Sequence, residues 1–493
     1  MFFEKLLPAR STRSPFNRIG RIDPFVLLAI LLGALAGFAV VFFNNPLLIL
    51  FAVVGAIGFL LSLLWAEFGL LVLVFISYTR FSDVMMEFQG FPSVAKPFLV
   101  ILVVAILVRW VLFHERPEGW LKPAIMFGCL SLTGLLSLFY SPVPDRVWGR
   151  WTDDLKDIII ALVVIILLQQ GTSFRRVLWV LIGVGFILGT LTVYQYFSGS
   201  FDNDFGGFAV SAEHQIIGTI DDYRSTGPIG DPNFFAQIMV VLVPISLERF
   251  LHEKRISLRL VALWTFANSV LSVIFTYSRG GLLALMMAVV VLLLYYPPKR
   301  LQIPIFILII AGFIAFLPPN YVARLSTLTE LFKNTGTTRV EERSLQGRLS
   351  ENMTGWEMIK THPLFGVGLS TYNYLFPTYS KKLGLALVAT EREAHNLYLE
   401  SLAETGIIGF SVLAWLLITS FLTVIRARKM FQTANIKDYE GMSTGFLAGL
   451  AGYFTAAAFI HNAFPRYFFL LLGIALSLQM VAKNSATYIH RVE

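Results

Sequence analysis

The sequence predicts an all-α polytopic membrane protein with about fourteen membrane-spanning helices and a large hydrophilic loop, built of short helices, on the outer side. Composition, the lengths of the apolar runs and the placing of lysine and arginine all lead there. The 493 residues are 56% hydrophobic and only 14% charged, with a mean hydropathy of +0.70. Soluble domains carry roughly 25% charged and 45–50% apolar residues, so this chain lacks the polar surface that two or three soluble domains would need. The single cysteine, Cys129, lies inside an apolar run, which excludes an internal disulfide framework and a thiolate metal site. The formal charge of +8 would suit nucleic acid, but its placement along the chain assigns most of it to cytoplasmic loops. No nucleic-acid partner is expected.

Apolar runs able to cross about 30 Å of hydrocarbon fall at 25–43, 46–65, 97–113, 121–140, 177–198, 233–248, 260–277, 281–296, 303–318, 405–425, 442–460 and 467–482. Two shorter runs, 67–78 and 158–170, are expected to be tilted or partly re-entrant. Pro24, Pro46, Pro97, Pro123 and Pro304 stand at or near the starts of runs, where a missing N–H costs little. Residues 1–23 are basic and polar and the first apolar run is long enough to remain as an anchor, so no cleavable signal peptide is expected. Segment 142–157, with Val143, Val147, Trp148 and Trp151 set against Asp145, Arg150 and Asp154, reads as a helix lying in the interface.

Orientation follows from the positive charges. With an inner N-terminus and fourteen alternating spans, the inner segments hold 21 lysines and arginines, and the short outer segments, of similar total length, hold 8. The long loop 319–394 holds nine more, but long loops escape the positive-inside rule. Both termini are therefore expected in the cytoplasm. Four regions result: an N-terminal transmembrane bundle (1–198), a transmembrane region bearing polar motifs (199–318), the long outer loop (319–394) and C-terminal transmembrane helices (395–493). The loop is far longer than a helix connection requires, which marks it as functional.

Several polar residues collect on that outer side. Arg279, in Tyr277-Ser278-Arg279-Gly280-Gly281, stands between two apolar runs with almost no loop between them. An arginine at such depth is costly unless it faces a cavity or a counter-ion, although one snorkelling to headgroups is the ordinary alternative. Arg348 follows Gly347 in the long loop, with Arg343 and Trp356 near it, and Arg224 precedes Ser225-Thr226-Gly227. Singly these are solvated arginines. Together they suit phosphate oxygens, which guanidinium forks match at any relevant pH. His395 and Asn396 stand where the loop re-enters the membrane, among Glu391, Glu393, Glu400 and Glu404. A neutral imidazole there could take a proton from a hydroxyl, with a neighbouring carboxylate orienting it; a helix-capping histidine is the plain alternative. His461, Asn462 and Arg466 form a second outer cluster. The pairs Asp153-Asp154 and Asp221-Asp222 could hold Mg²⁺ or Mn²⁺, but neither has a histidine alongside. No metal and no cofactor is expected.

Taken in order, Arg224 to Asn233, Ser278 to Gly281, Gly347-Arg348 with Trp356, His362 to Tyr372, and His395-Asn396 leading to Glu404-Thr405-Gly406 resemble the O-antigen ligase and O-antigen polymerase superfamily. The resemblance covers roughly 220–410; residues 1–150 match none of its motifs. It implies a GT-C-like helical fold in a bacterial inner membrane, with the active site facing the periplasm. It further implies inverting, metal-independent transfer of a glycan from undecaprenyl diphosphate to an acceptor hydroxyl. The acceptor would be lipid A-core or a growing glycan. In such an enzyme His395, Arg279 and Arg348 would be catalytic, and Arg224, Arg343, Asn396, Trp356, Tyr372 and Glu404 would bind substrate. A polymerase shares this chemistry, and an oligosaccharyltransferase acting on protein is a further relative. A transporter or flippase fits the composition as well, but such proteins tend to show internal repeats and charged or broken helices near the midplane. Here no repeat is found and the polar residues gather at one surface. The sequence leaves the oligomeric state open.

Overall fold

The computed structural model describes residues 66–216, 219–299, 339–385, 390–461 and 465–492, with most of 57–65. Helices dominate: α1 Ala66–Thr79, α2 Phe81–Gln89, α3 Ala95–Phe113, α4 Leu121–Leu136, α5 Pro144–Leu167, α6 Gly171–Ser198, α7 Pro232–His252, α8 Ile256–Phe275, α9 Arg279–Tyr295, α10 Arg339–Thr361, α11 Tyr372–Lys382, α12 Leu397–Thr433, α13 Lys437–Ala456 and α14 Pro465–Val492. The chain divides into two compact units, one of Met1–Leu70 with Lys96–Pro117 and one of Leu71–Ala95 with Glu118–Glu493. The helix bundle and the site described below lie in the second.

Fewer helices qualify as spans than the sequence predicts. Among the described residues seven are long and apolar enough to cross a membrane, or eight if α1 and α2, bent by 53° at Arg80, form one broken span. Among the described residues this number replaces the expected count, which was about fourteen for the whole chain. Three helices fall short for identifiable reasons. α9 is only 17 residues long. α13 is rich in glycine, serine and threonine. α5 joins the expected interface helix and the short run after it into one 24-residue helix, with charge concentrated in its first half. The runs expected at 25–43 and 303–318, and most of 46–65, lie outside the described residues.

Within 199–232 the described residues include a pair of strands, beside the helices that dominate the fold. Here β1 (Val210–Ile216) and β2 (Thr219–Gly227) pair antiparallel, with Ala212 opposite Arg224. Val210, Ile216, Ile220, Tyr223 and Thr226 are β-branched or aromatic residues of the kind that favours strands. Asp231 then caps α7, accepting from the backbone of Asn233 and Phe234.

Helix α7 is buried along nearly its whole length. Its backbone is approached closely by Gly445 and Gly449 of α13; a Cβ added at Gly449 would stand 2.7 Å from the Val241 carbonyl. Small residues every four positions are how membrane helices pack without a hydrophobic drive between them. α8 packs on the other side of α7, with α9 against α13, so α7 is the axis of the bundle. α12, α14 and α5 form the adjoining group.

Candidate active site

One end of this bundle gathers the starts of α7, α9, α12 and α14 with the ends of α4, α6, α8 and α13. The joins are visible bond by bond. Tyr196 near the end of α6 and Tyr277 share a hydrogen bond of 2.7 Å, and the Leu397 N–H donates to the carbonyls of Ala457 and Ile460. The His461 ring packs edge-on against both Phe234 and His395, with centroids 5.2 and 5.6 Å apart.

The link between the loop and the membrane helices depends on two glycines. Residues 363–368 run across α12, where Val367 and Gly368 donate to the carbonyls of Ala403 and Glu404 and the Ile407 N–H donates to Pro363. Gly366 (φ +72°) and Gly406 (φ +62°, where α12 kinks) sit so close to the opposite backbone that a Cβ on either would overlap it. That contact explains why Gly366 and Gly406 recur in the motifs quoted above. It also aims Glu404 at the loop, whose Ser370 and Tyr372 N–H groups it accepts at 2.9 and 3.0 Å.

His395 stands immediately before α12 in a left-handed conformation (φ +46°), which costs a non-glycine residue of order 1–3 kcal/mol and fixes the direction of its ring. Nδ1 lies 3.1 Å from Glu351 Oε2 and 3.1 Å from the Glu393 carbonyl. Both neighbours are acceptors, so the neutral ring carries its proton on Nδ1 and leaves the Nε2 lone pair available. Glu351 is 1% exposed. Arg392 Nε approaches its other oxygen to 3.0 Å, an ion pair without the alignment of a hydrogen bond. The Tyr372 hydroxyl donates to the Glu351 carbonyl, holding this turn of α10 in place. The hydrogen bond to Glu351 raises the His395 pKa above its ordinary value, against burial and the nearby Arg348 charge, which lower it. His461 behaves oppositely: burial pushes it down to about 4, helped by the His395 and Arg150 charges. Its Nδ1 has no hydrogen-bond partner among the described residues.

Around this pair the expected residues take different positions. Arg348 is exposed on α10, and Gly347 beside it lets the Arg392 guanidinium lie close. Arg343 is on the same helix, with its side chain outside the described residues. Trp356 is 53% exposed. Arg279 opens α9, one residue after Ser278, whose Oγ caps the helix by accepting from the Gly281 N–H. A cation there adds to the positive end of the helix dipole, so the position favours an anion nearby. Like Tyr372 and Glu404 above, two further expected binders are occupied internally. Arg224 is buried, its Nε donating to the Thr276 carbonyl at 2.7 Å and its Nη2 to Asn233 at 3.4 Å, so it ties β2 to α7 and α8. Asn396 is the N-cap of α12, accepting from the Tyr398 and Leu399 N–H groups. Asp153 and Asp154 pair with Lys156 and Arg150.

Sequence reasoning passed over Glu351 and Arg392. Glu351 was legible as a charge on the otherwise uncharged buried face formed by Gly347, Ser350, Thr354, Gly355 and Met358 of a polar helix.

The described residues thus make a polytopic helical membrane protein with a carboxylate-held histidine where the loop meets the membrane helices, and arginines near it in the same region. Residues 262–414, from α8 into α12, match the family model described as O-antigen ligase, so this segment is similar to that family. No curated protein matches the chain.

Proposed function

We propose that this protein transfers a glycan from a lipid diphosphate to an acceptor hydroxyl, as a ligase with a GT-C-like fold, at the periplasmic face of a bacterial inner membrane. In this reading both termini are cytoplasmic and the donor is an undecaprenyl-diphosphate-linked glycan. The observation that carries it is the His395 ring, with Nδ1 bonded to two acceptors and Nε2 available, inside the segment that matches the ligase family.

Nε2 takes the proton of the acceptor hydroxyl as its oxygen attacks the anomeric carbon. The bond from that carbon to the phosphate oxygen breaks, its electron pair leaves with the diphosphate, and the configuration inverts. Glu351 stabilises the imidazolium formed. Arg279 and Arg348, with Arg392, neutralise the departing diphosphate, and their charge is independent of pH. Because these cations can carry the leaving charge, no divalent metal is required, so the purified enzyme should keep full activity in excess EDTA. The membrane holds the donor's lipid tail beside the site, which lowers the entropic cost of the encounter.

The glycan phenotype of a deletion strain tests the reading. Loss of capped lipopolysaccharide with accumulation of lipid-linked polymer is expected. Accumulated single repeats would make the enzyme a polymerase, and unchanged envelope glycans would contradict glycan transfer.

A further inference from the structure

Beside His395 lies a cavity of about 250 Å³, lined in part by His461 and walled by α4, α5, α12, α14 and residues 369–373. Its charged lining is Arg150, Asp154, Glu393, Glu400 and Glu404. One arginine faces four carboxyls, and that arginine is already paired with Asp154 at 3.1 Å. The cations of the diphosphate reading, Arg279, Arg348 and Arg392, are not among the lining residues. The two sides of His395 therefore differ in the groups they offer, guanidinium on one and carboxyl on the other.

The rest of the lining suits a sugar. Trp151 is a fixed aromatic wall, its indole N–H donating to the Ser131 carbonyl and hydroxyl at 3.1 and 2.9 Å. Ser370, Asn373, Ser401 and Thr405 add hydroxyl and amide groups. Such a mixture of apolar wall and few convergent polar groups is typical of small-ligand sites. The volume lies just below the usual ligand range of about 300–1,000 Å³, so it accommodates one ring and not a chain. Carboxylates accept hydrogen bonds from hydroxyl and ammonium groups and repel phosphate. The open Nδ1 of His461, whose ring stays neutral in this site, is one more group able to bond a hydroxyl next to His395.

We infer that this cavity is the subsite for the acceptor's terminal sugar, and that it takes a neutral or amino sugar and excludes a phosphorylated one. The inference rests on the transfer reading for its purpose, but its binding test does not. Full-length protein in detergent would be probed by saturation-transfer NMR with methyl glucoside, methyl glucosaminide and glucose 6-phosphate. Undecaprenyl diphosphate binding is measured in parallel. The two glycosides should bind, and the phosphorylated sugar should bind about tenfold more weakly or worse. Ser401→Phe, which fills the cavity, should abolish glycoside binding and leave undecaprenyl diphosphate binding within about twofold. Ser401→Lys, which puts a cation among the carboxyls, should raise glucose 6-phosphate binding relative to methyl glucoside; retained lipid binding certifies that either variant is folded. Equal binding of the phosphorylated sugar to the natural protein, no glycoside binding to it at all, or glycoside binding that survives Ser401→Phe would overturn the subsite. Glycoside binding without undecaprenyl diphosphate binding would instead sink the donor assignment and leave the sugar site standing.

Discussion

The two ends of the bundle handle buried charge in opposite ways. At the end away from His395, Arg249 is fully buried, and its three nitrogens donate to both oxygens of Glu248, at 2.6 and 2.7 Å, and to Asp438 at 2.8 Å. Arg175 reaches Glu253 at 2.6 Å, and Arg428 joins Glu440 and Thr444 at 2.7 and 2.9 Å. These bonds tie α6, α7, α12 and α13 together, and none of these residues lines the cavity beside His395. At the His395 end the charges are unevenly matched: a histidine in a strained backbone, a second histidine with an open nitrogen, and carboxyls around a cavity. A saturated network holds helices. An unsaturated one next to a cavity is where a ligand completes the bonding. Arginine alone therefore distinguishes nothing; what its donors already hold does.

Substitutions at the two ends should fail in different currencies. The largest effect on stability is expected from Arg249→Met, which leaves Glu248 buried without its partner. Breaking a buried pair from one side typically costs about 3–5 kcal/mol, so thermal unfolding in detergent should move well down, while turnover per folded molecule stays near normal. Selective loss of turnover at unchanged stability would place Arg249 in the reaction instead. Next comes Arg279→Lys, which keeps the charge and loses the planar fork. Charge-assisted hydrogen bonds contribute about 1.5–3 kcal/mol, so donor binding and transfer should both drop by about 10- to 100-fold. Wild-type donor affinity in this variant would remove Arg279 from the diphosphate site.

The smallest effect is the most specific. Glu351 raises the His395 pKa, and the base must be neutral to act, so transfer should rise with pH through a limb lying above the ordinary histidine value of about 6.5. Glu351→Gln removes the carboxylate charge, lowers that pKa and should move the limb toward lower pH, with only a modest change in the plateau rate. A pH–rate profile shows the shift directly. A limb that stays in place, or moves upward, would break the pairing of Glu351 with His395.

What could be read in advance depended on distance along the chain. His395 was legible because a rare titratable residue stands where a hydrophilic loop meets an apolar run. Its partner Glu351 is 44 residues away, and the nearer acids Glu391 and Glu400 drew attention instead; Glu391 in fact pairs with Arg146 at 2.9 Å. Arg224 and Arg279 look equivalent in sequence, each beside small polar residues. Only the fold distinguishes an arginine bonded to the Thr276 carbonyl from one at the head of a helix. The helical class followed from apolar runs, whereas the β1–β2 pair escaped because its strands are short and lie in a segment dominated by glycine and aspartate. Helix α5 escaped because its charged half and its apolar half were read as separate pieces.

The central claim is that the His395 end carries the chemistry and that His395 is its base. It is tested most directly by measuring transfer and donor binding together in His395→Ala, on protein whose unfolding temperature matches the parent's. Removing a general base costs about 10²–10⁴-fold in rate, while a neutral ring contributes little to holding a dianion. Transfer should fall by that factor with undecaprenyl diphosphate binding nearly unchanged. Wild-type turnover in His395→Ala would contradict the claim.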